Sequence, residues 1–212
     1  VTSLNYDEIY DGQNHKYPRY SVQYGNTLLT PASSTDDNET YMLNGVDALV
    51  LTPTSSANIT NVSESGRLNG FTHSLANSDN YASAVQHVNG TLTVRPDTLI
   101  VTIVGHNHEY NFTGSAQTVH GYDTSFSATI YPYDGNFSFS GDSTITETAV
   151  GSYNMNLASG QFENHNTNYY VKNFDVTDGW MIIYDSLHMV VTPTDVVCYS
   201  ENNGKATVSV SG

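Results

Sequence analysis

The sequence predicts an all-β chain built from two tandem small modules, and three observations carry that expectation. Tyr occurs 16 times among 212 residues, Val, Thr and Ile recur in short runs, and Asn, Asp, Ser and Gly fill the gaps. β-branched and aromatic residues suit a pleated, half-buried surface, and the small polar residues suit turns. No amphipathic pattern of three or more helical turns can be drawn anywhere along the chain. Finally, landmarks recur in the same order. The stretch from Tyr10 to Tyr20 aligns without a gap with that from Phe112 to Tyr122, and Ile59 and Gly66 reappear as Ile145 and Gly151 to within one residue. Asn80-Tyr81 returns as Asn168-Tyr169, and Gly90-Thr-Leu-Thr-Val94 as Gly179-Trp-Met-Ile-Ile183. A fixed order of landmarks is the mark of a repeat architecture. An Ig-like sandwich is the first expectation for each module. A β-grasp arrangement, in which a short helix over residues 158–164 crosses a sheet, is the alternative.

Taken in order, the chain opens with an Asp11-Gly12 turn and an extended run to Tyr20, then a second turn at Gly25-Asn26. Residues 31–40, PASSTDDNET, are almost free of apolar side chains and predict an exposed loop. Strand character returns at 41–43 and at 48–52, whereas 68–80 fits a helical turn or a wide loop equally well. Leu92-Thr-Val94 alternates as a half-buried strand does, and Arg95-Pro96-Asp97 closes the first module, since Pro cannot donate to a ladder. Leu99 to Val104 is the most continuous β run, followed by turn chemistry at Gly105-His106-Asn107 and a hairpin turn at Tyr133-Asp134-Gly135-Asn136. The module bounds are therefore 1–96 and 97–188. Residues 189–212 open a truncated third repeat, whose last strand is expected to pair with module two.

Charge excludes several functions. The 21 acidic residues outnumber 6 scattered basic ones, giving a net charge of -15. Such a surface repels phosphate backbones and anionic head groups, so neither nucleic acid nor a membrane surface is an expected partner. The single cysteine, Cys198, rules out an intrachain disulfide and leans weakly toward a bacterial surface origin. Flanked by Val197 and Tyr199 in an expected strand, it reads as a buried, inert thiol. No signal peptide, spanning apolar run or sorting motif is visible, and the chain starts at Val1, so the sequence reads as a piece whose signal and anchor lie outside it.

Residues with candidate chemistry are few. His106-Asn-His108 puts two imidazoles on one side of an extended chain, a spacing that with Glu109 or Asp123 suits Zn²⁺; an exposed polar turn is the plainer reading. Asp36, Asp37 and Glu39 gather oxygen ligands of the kind Ca²⁺ takes, yet without EF-hand spacing, which favours a solvated loop. No Gly-x-Ser-x-Gly elbow supports a Ser-His-Asp arrangement, so no catalytic residue is assigned, the chain is not expected to be an enzyme, and no cofactor is implied. Tyr131, Tyr133 and Tyr153 are the residues for stacking on a sugar ring.

The pattern of Tyr10-Asp-Gly-Gln-Asn-His15, Ile59-Thr-Asn-Val62, Asn80-Tyr81 before Gly-Thr-Leu-Thr-Val94, and Phe174-Asp-Val-Thr-Asp-Gly179 resembles the tandem modules of long Gram-positive surface adhesins, grouped as MBG-type and bacterial Ig-like repeats. The resemblance covers nearly the whole chain, but its motifs are turn and strand punctuation. It implies an extracellular, bacterial cell-surface location, a cell-wall-anchored parent protein and a role as spacer or adhesive stalk. A carbohydrate- or host-protein-binding module is the alternative. Neighbouring repeats and a host glycan or protein are the partners it implies, and it supplies no catalytic residues. In such modules Lys-Asn or Lys-Asp cross-links occur, for which Lys172, among Tyr170 and Phe174, is the candidate.

Overall fold

The computed structural model describes residues 1–128, 137–185, 187–195 and 204–211. Its strands in the first half are β1 (Thr2–Ser3), β2 (Tyr6–Ile9), β3 (Tyr20–Tyr24), β4 (Thr27–Leu29), β5 (Ser33–Ser34), β6 (Glu39–Leu43), β7 (Asp47–Pro53), β8 (Arg67–Asn69), β9 (Phe71–Leu75) and β10 (Gly90–Arg95). The second half carries β11 (Asp97–Gly105), β12 (Asn107–Asn111), β13 (Gln117–His120), β14 (Tyr122–Phe126), β15 (Phe137–Phe139), β16 (Thr144–Glu147), β17 (Gly151–Asn154), β18 (Phe162–Asn164), β19 (Tyr169–Thr177), β20 (Trp180–Tyr184), β21 (His188–Thr194) and β22 (Lys205–Ser211). The only helical pieces among the described residues are three-residue 3-10 turns. The chain is all-β, and among the described residues no helix is long and apolar enough to cross a membrane.

Burial alternates along the strands as a half-buried sheet requires. Leu49 and Leu51 of β7, Leu92 and Val94 of β10, and Leu99, Val101 and Ile103 of β11 are all buried, with their neighbours turned outward. Two compact units result. The first comprises Val1–Ile100, the described residues of Ser127–Phe137, and Asn164–Lys172; the second comprises Val101–Phe126, Ser138–Glu163 and the described residues of Asn173–Gly212. The core of the first unit gathers Tyr20, Val22, Tyr41, Leu43, Leu49, Leu51 and Phe71, with a smaller cluster of Ile59, Leu92 and Val94. That of the second gathers Val119, Ile145, Met155, Leu157, Met181 and Ile183.

Within the first unit, Asn168 ties the 164–172 stretch to the rest. Its Oδ1 accepts from the Val62 amide at 2.8 Å, its Nδ2 donates to Asn61 Oδ1 at 2.9 Å, and its carbonyl accepts from Asp97 N at 3.0 Å. The Tyr10 and Tyr169 rings meet edge to face beside it.

Several local expectations change. The 31–40 stretch is not all exposed loop: β5 pairs with β6, and Glu39 is buried. The 68–80 stretch holds the helical turn offered for it, the 3-10 turn Ser78–Asn80, but also contains β9, an edge of the four-stranded sheet ordered β5-β6-β7-β9. Gly105 to Asn107 is not a reversing turn, because β12 starts at Asn107 and runs parallel to β20. The helix placed over 158–164 is a single 3-10 turn, Ser159–Gln161, followed by β18, so the helical element of the β-grasp alternative is missing here. Gln161 caps that turn by accepting from the Ala158 amide, and one turn cannot compete with the aromatic stack of Phe162 on Phe139 and Phe174. The hairpin turn expected at 133–136 lies outside the described residues. β22 pairs antiparallel with β21 over its whole length.

Candidate functional site

A cleft of about 410 Å³ lies in the first unit, between β3 and the stretch 80–86. Its floor is apolar: Val22, Leu43 and Leu49 are buried core residues, and Leu75 joins them from β9. One wall is Gln23, Tyr24 and Gly25, at the turn that reverses β3 into β4; Gly25 sits at φ +59°, the conformation a two-residue hairpin demands. The other wall is Asn80 to Gln86. The terminal ammonium of Val1 closes one end by donating to the Gln86 carbonyl at 2.8 Å.

Two tyrosines give the cleft its polar rim. The Tyr24 and Tyr81 rings lie 6.1 Å apart, edge to face. The Tyr81 hydroxyl donates to Asp47 Oδ2 at 2.8 Å while Asn77 donates to Oδ1 at 2.7 Å. These donors hold the Asp47 carboxyl below its ordinary value, Asn77 contributing most. Burial first, then the Asp47 acceptor, pushes the Tyr81 phenol up to about 12, so it stays a donor at physiological pH. Asp47 thus anchors Tyr81 and the start of the wall. Behind that wall, His87 Nε2 and His73 Nδ1 approach to 2.9 Å, and the His87 ring stacks on Phe71 at 4.3 Å. Burial, then the charges of His73 and the N-terminus, lowers the His87 pKa. Of these residues only Tyr81 carries a signal in the sequence, the Asn80-Tyr81 landmark; Tyr24, Asp47, His73 and His87 carry none, because the residues that meet here come from four separate strands and loops.

The candidates read from the sequence are dispersed. Asp36 and Asp37 are exposed, with Lys16 Nζ 4.0 Å from Asp37. Glu39 points inward: its carboxylate accepts from the Tyr41 hydroxyl at 2.7 Å, from Ser34 Oγ at 3.0 Å and from the Tyr20 amide at 3.1 Å. That is a carboxylate satisfied by protein donors inside a core, the arrangement a buried charge requires. Burial first, then Glu39 itself, pushes the Tyr41 phenol well above its usual range. His106 Nε2 lies 3.2 Å from Asp123 Oδ1 and its Nδ1 is 2.8 Å from the His120 carbonyl; Asp123 first and His120 second raise its pKa. His108 instead packs on the Tyr110 ring at 4.4 Å. Among the described residues no group of three or more His, Cys, Asp or Glu is placed to hold a metal ion. Lys172 is exposed on β19, not in the buried setting a cross-link would need. Tyr153 is partly buried, and its hydroxyl donates to the Ala149 carbonyl. Cys198, Tyr131 and Tyr133 lie outside the described residues.

No family model, curated protein or solved structure matches the chain.

Proposed function

We propose that the chain is a non-enzymatic, tandem-repeat segment of a bacterial cell-surface protein, extracellular and serving as a spacer or adhesive stalk. The observation that supports this most is a backbone pattern used twice. β2 pairs parallel with β10 and β8 pairs antiparallel with β10; β12 pairs parallel with β20 and β17 antiparallel with β20. The registers correspond: Leu92 faces Tyr6 and Arg67, and Met181 faces His108 and Tyr153. Flanking bonds correspond too. The Tyr10 amide donates to the Arg95 carbonyl as the Phe112 amide does to that of Tyr184, and Ser3 faces Tyr20 as Gly105 faces Tyr122.

A module that fills its own core acts by number and reach, and a net charge of -15 keeps such a surface soluble. One observation favours a second reading, a carbohydrate- or host-protein-binding module: the cleft rimmed by Tyr24 and Tyr81. A glycan array and a mucin-binding assay on this chain separate the two. The stalk reading expects both to stay blank. Saturable binding that disappears in Tyr81→Ala would transfer the function to the cleft.

A further inference from the structure

Two histidines from distant parts of the first unit meet side chain to side chain. His73 stands in β9, opposite Leu51 of β7, so a sheet fixes the backbone beneath it. His87 lies in a segment held by main-chain bonds within this chain: the Val88 amide donates to the Val1 carbonyl, and the Ser3 amide donates to the Val88 carbonyl. The His87 ring is oriented by stacking on Phe71, a buried core residue, with centroids 4.3 Å apart and planes inclined by 23°. The His73 ring stands across it at 76°, and His87 Nε2 lies 2.9 Å from His73 Nδ1.

A neutral imidazole has one N–H and one lone pair, so a contact between two ring nitrogens holds a single proton. Neither of the two nitrogens needs a positive ring to be satisfied there. His106 is the opposite case. Asp123 and the His120 carbonyl present acceptors to both of its nitrogens, and a ring that donates to both has no lone pair left for a metal. Burial first, then His73 and the N-terminal charge, lowers the His87 pKa, which keeps that ring neutral at pH 7, the form in which imidazole ligates.

Spacing selects the ion. Two nitrogens each about 2.0–2.1 Å from one ion are about 2.9 Å apart when they meet it at a right angle, and about 3.3 Å apart at the tetrahedral angle. The 2.9 Å between His87 and His73 is the right-angled span, which suits square-planar or tetragonal Cu²⁺ and Ni²⁺ better than tetrahedral Zn²⁺. Both residues are exposed, so water can fill the positions the protein leaves. A net charge of -15 favours the approach of a cation.

We propose that His73 and His87 form a two-imidazole site for a divalent ion of the Cu²⁺ or Ni²⁺ class, bound through His73 Nδ1 and His87 Nε2 with water completing the coordination. The ion replaces the hydrogen bond between the rings. The nitrogen that donated passes its proton, through water, to the other nitrogen of its own ring, so both lone pairs face the ion and the pair keeps both of its protons. Bound there, the ion ties β9 to the 86–88 segment. The site stands whether or not the chain is a repeat segment.

The test is a Cu²⁺ titration of the tag-free chain at about pH 7.5, read by calorimetry and by electron paramagnetic resonance, with Ni²⁺ and Zn²⁺ titrated beside it. One Cu²⁺ per chain with two imidazole nitrogens in its signal is expected. Ni²⁺ should bind more tightly than Zn²⁺, and saturation with Cu²⁺ should raise Tm by about 5 °C. His73→Gln and His87→Gln should each weaken Cu²⁺ binding by about tenfold or more, since losing a ligand costs at least as much as losing the partner that orients it. His106→Gln and His108→Gln should leave it unchanged, and so should acetylation of the N-terminus. Unchanged affinity in the His73 and His87 variants, a signal with fewer than two imidazole nitrogens, Zn²⁺ binding as tightly as Ni²⁺, or loss of binding on acetylation would overturn the proposal.

Discussion

The sheets β2-β10-β8 and β12-β20-β17 have the same strand directions and corresponding registers, yet they are filled by different side chains. At the centre of the first sits Leu92, and at the centre of the second Met181, both fully buried. Where the central strand begins, Gly90 has only backbone around it. A Cβ there would meet Ser3 O at 2.5 Å and the Leu4 carbonyl carbon and oxygen at 2.7 Å. Gly179, in the matching place, would meet the Met155 thioether as well as the His106 carbonyl oxygen. The comparison teaches that backbone pairing is held constant while side-chain filling drifts, with glycine retained where two main chains come too close for any Cβ.

Truncating the two centres should give the largest effects. Leu92→Ala and Met181→Ala should each cost about 3–4 kcal/mol in urea unfolding, since neither site can collapse around the lost volume. A small loss at one and a large loss at the other would break the correspondence. Next come the close approaches. Gly90→Ala and Gly179→Ala should each destabilise by about 3 kcal/mol, because the Met155 side chain can swing aside but the Ser3 and Leu4 carbonyls at one joint and the His106 carbonyl at the other cannot. A loss at only one of them would show that the two joints are built differently.

Asn168→Ala should cost about 1–2 kcal/mol by leaving the Val62 amide without its acceptor. Faster exchange at Val62 in that variant would locate the loss in the first unit. The smallest effects are those of pH, and they should have opposite signs. The depressed pKa of His87 means its contribution is complete above the ordinary histidine value and is lost as pH falls through the depressed one. The raised pKa of His106 means its contribution is complete below the ordinary value and is lost as pH rises through the raised one. Melts between about pH 5 and pH 8 should therefore show His87→Gln relieving acid sensitivity and His106→Gln relieving the loss toward neutral pH.

Much of the strand content was legible because alternation is a local signal. The apolar run from Leu99 to Val104 falls inside β11, and Pro96 alone separates β10 from β11, as a residue with no amide to donate should. The errors fall where a local signal meets a tertiary demand. Residues 31–40 look like solvated loop, but Glu39 is drawn inside by three donors, of which the Tyr41 hydroxyl and the Tyr20 amide become neighbours only when β3 and β6 pack together. His106 and His108 share a spacing that invites a metal, and the fold gives them separate partners. The cleft was not legible at all, since its floor and walls come from β3, β6, β7, β9 and the stretch 80–86.

By itself the sequence determined the class of structure. Tyr, Val, Thr and Ile at alternate positions, broken by Gly, Asn and Asp, leave a chain no helix it can bury and many strands it can. It also fixed the acidic surface and the order of recurring landmarks, because these depend on residue identity and nothing further. Pairing was decided only in three dimensions. Whether a strand finds one partner or two depends on what lies across a gap tens of residues away in sequence. β11 has β14 on one side and β19 on the other. β3 has β4 along Val22 to Tyr24 and β1 along Tyr20 and Ser21, partners that lie close in sequence only on the β4 side.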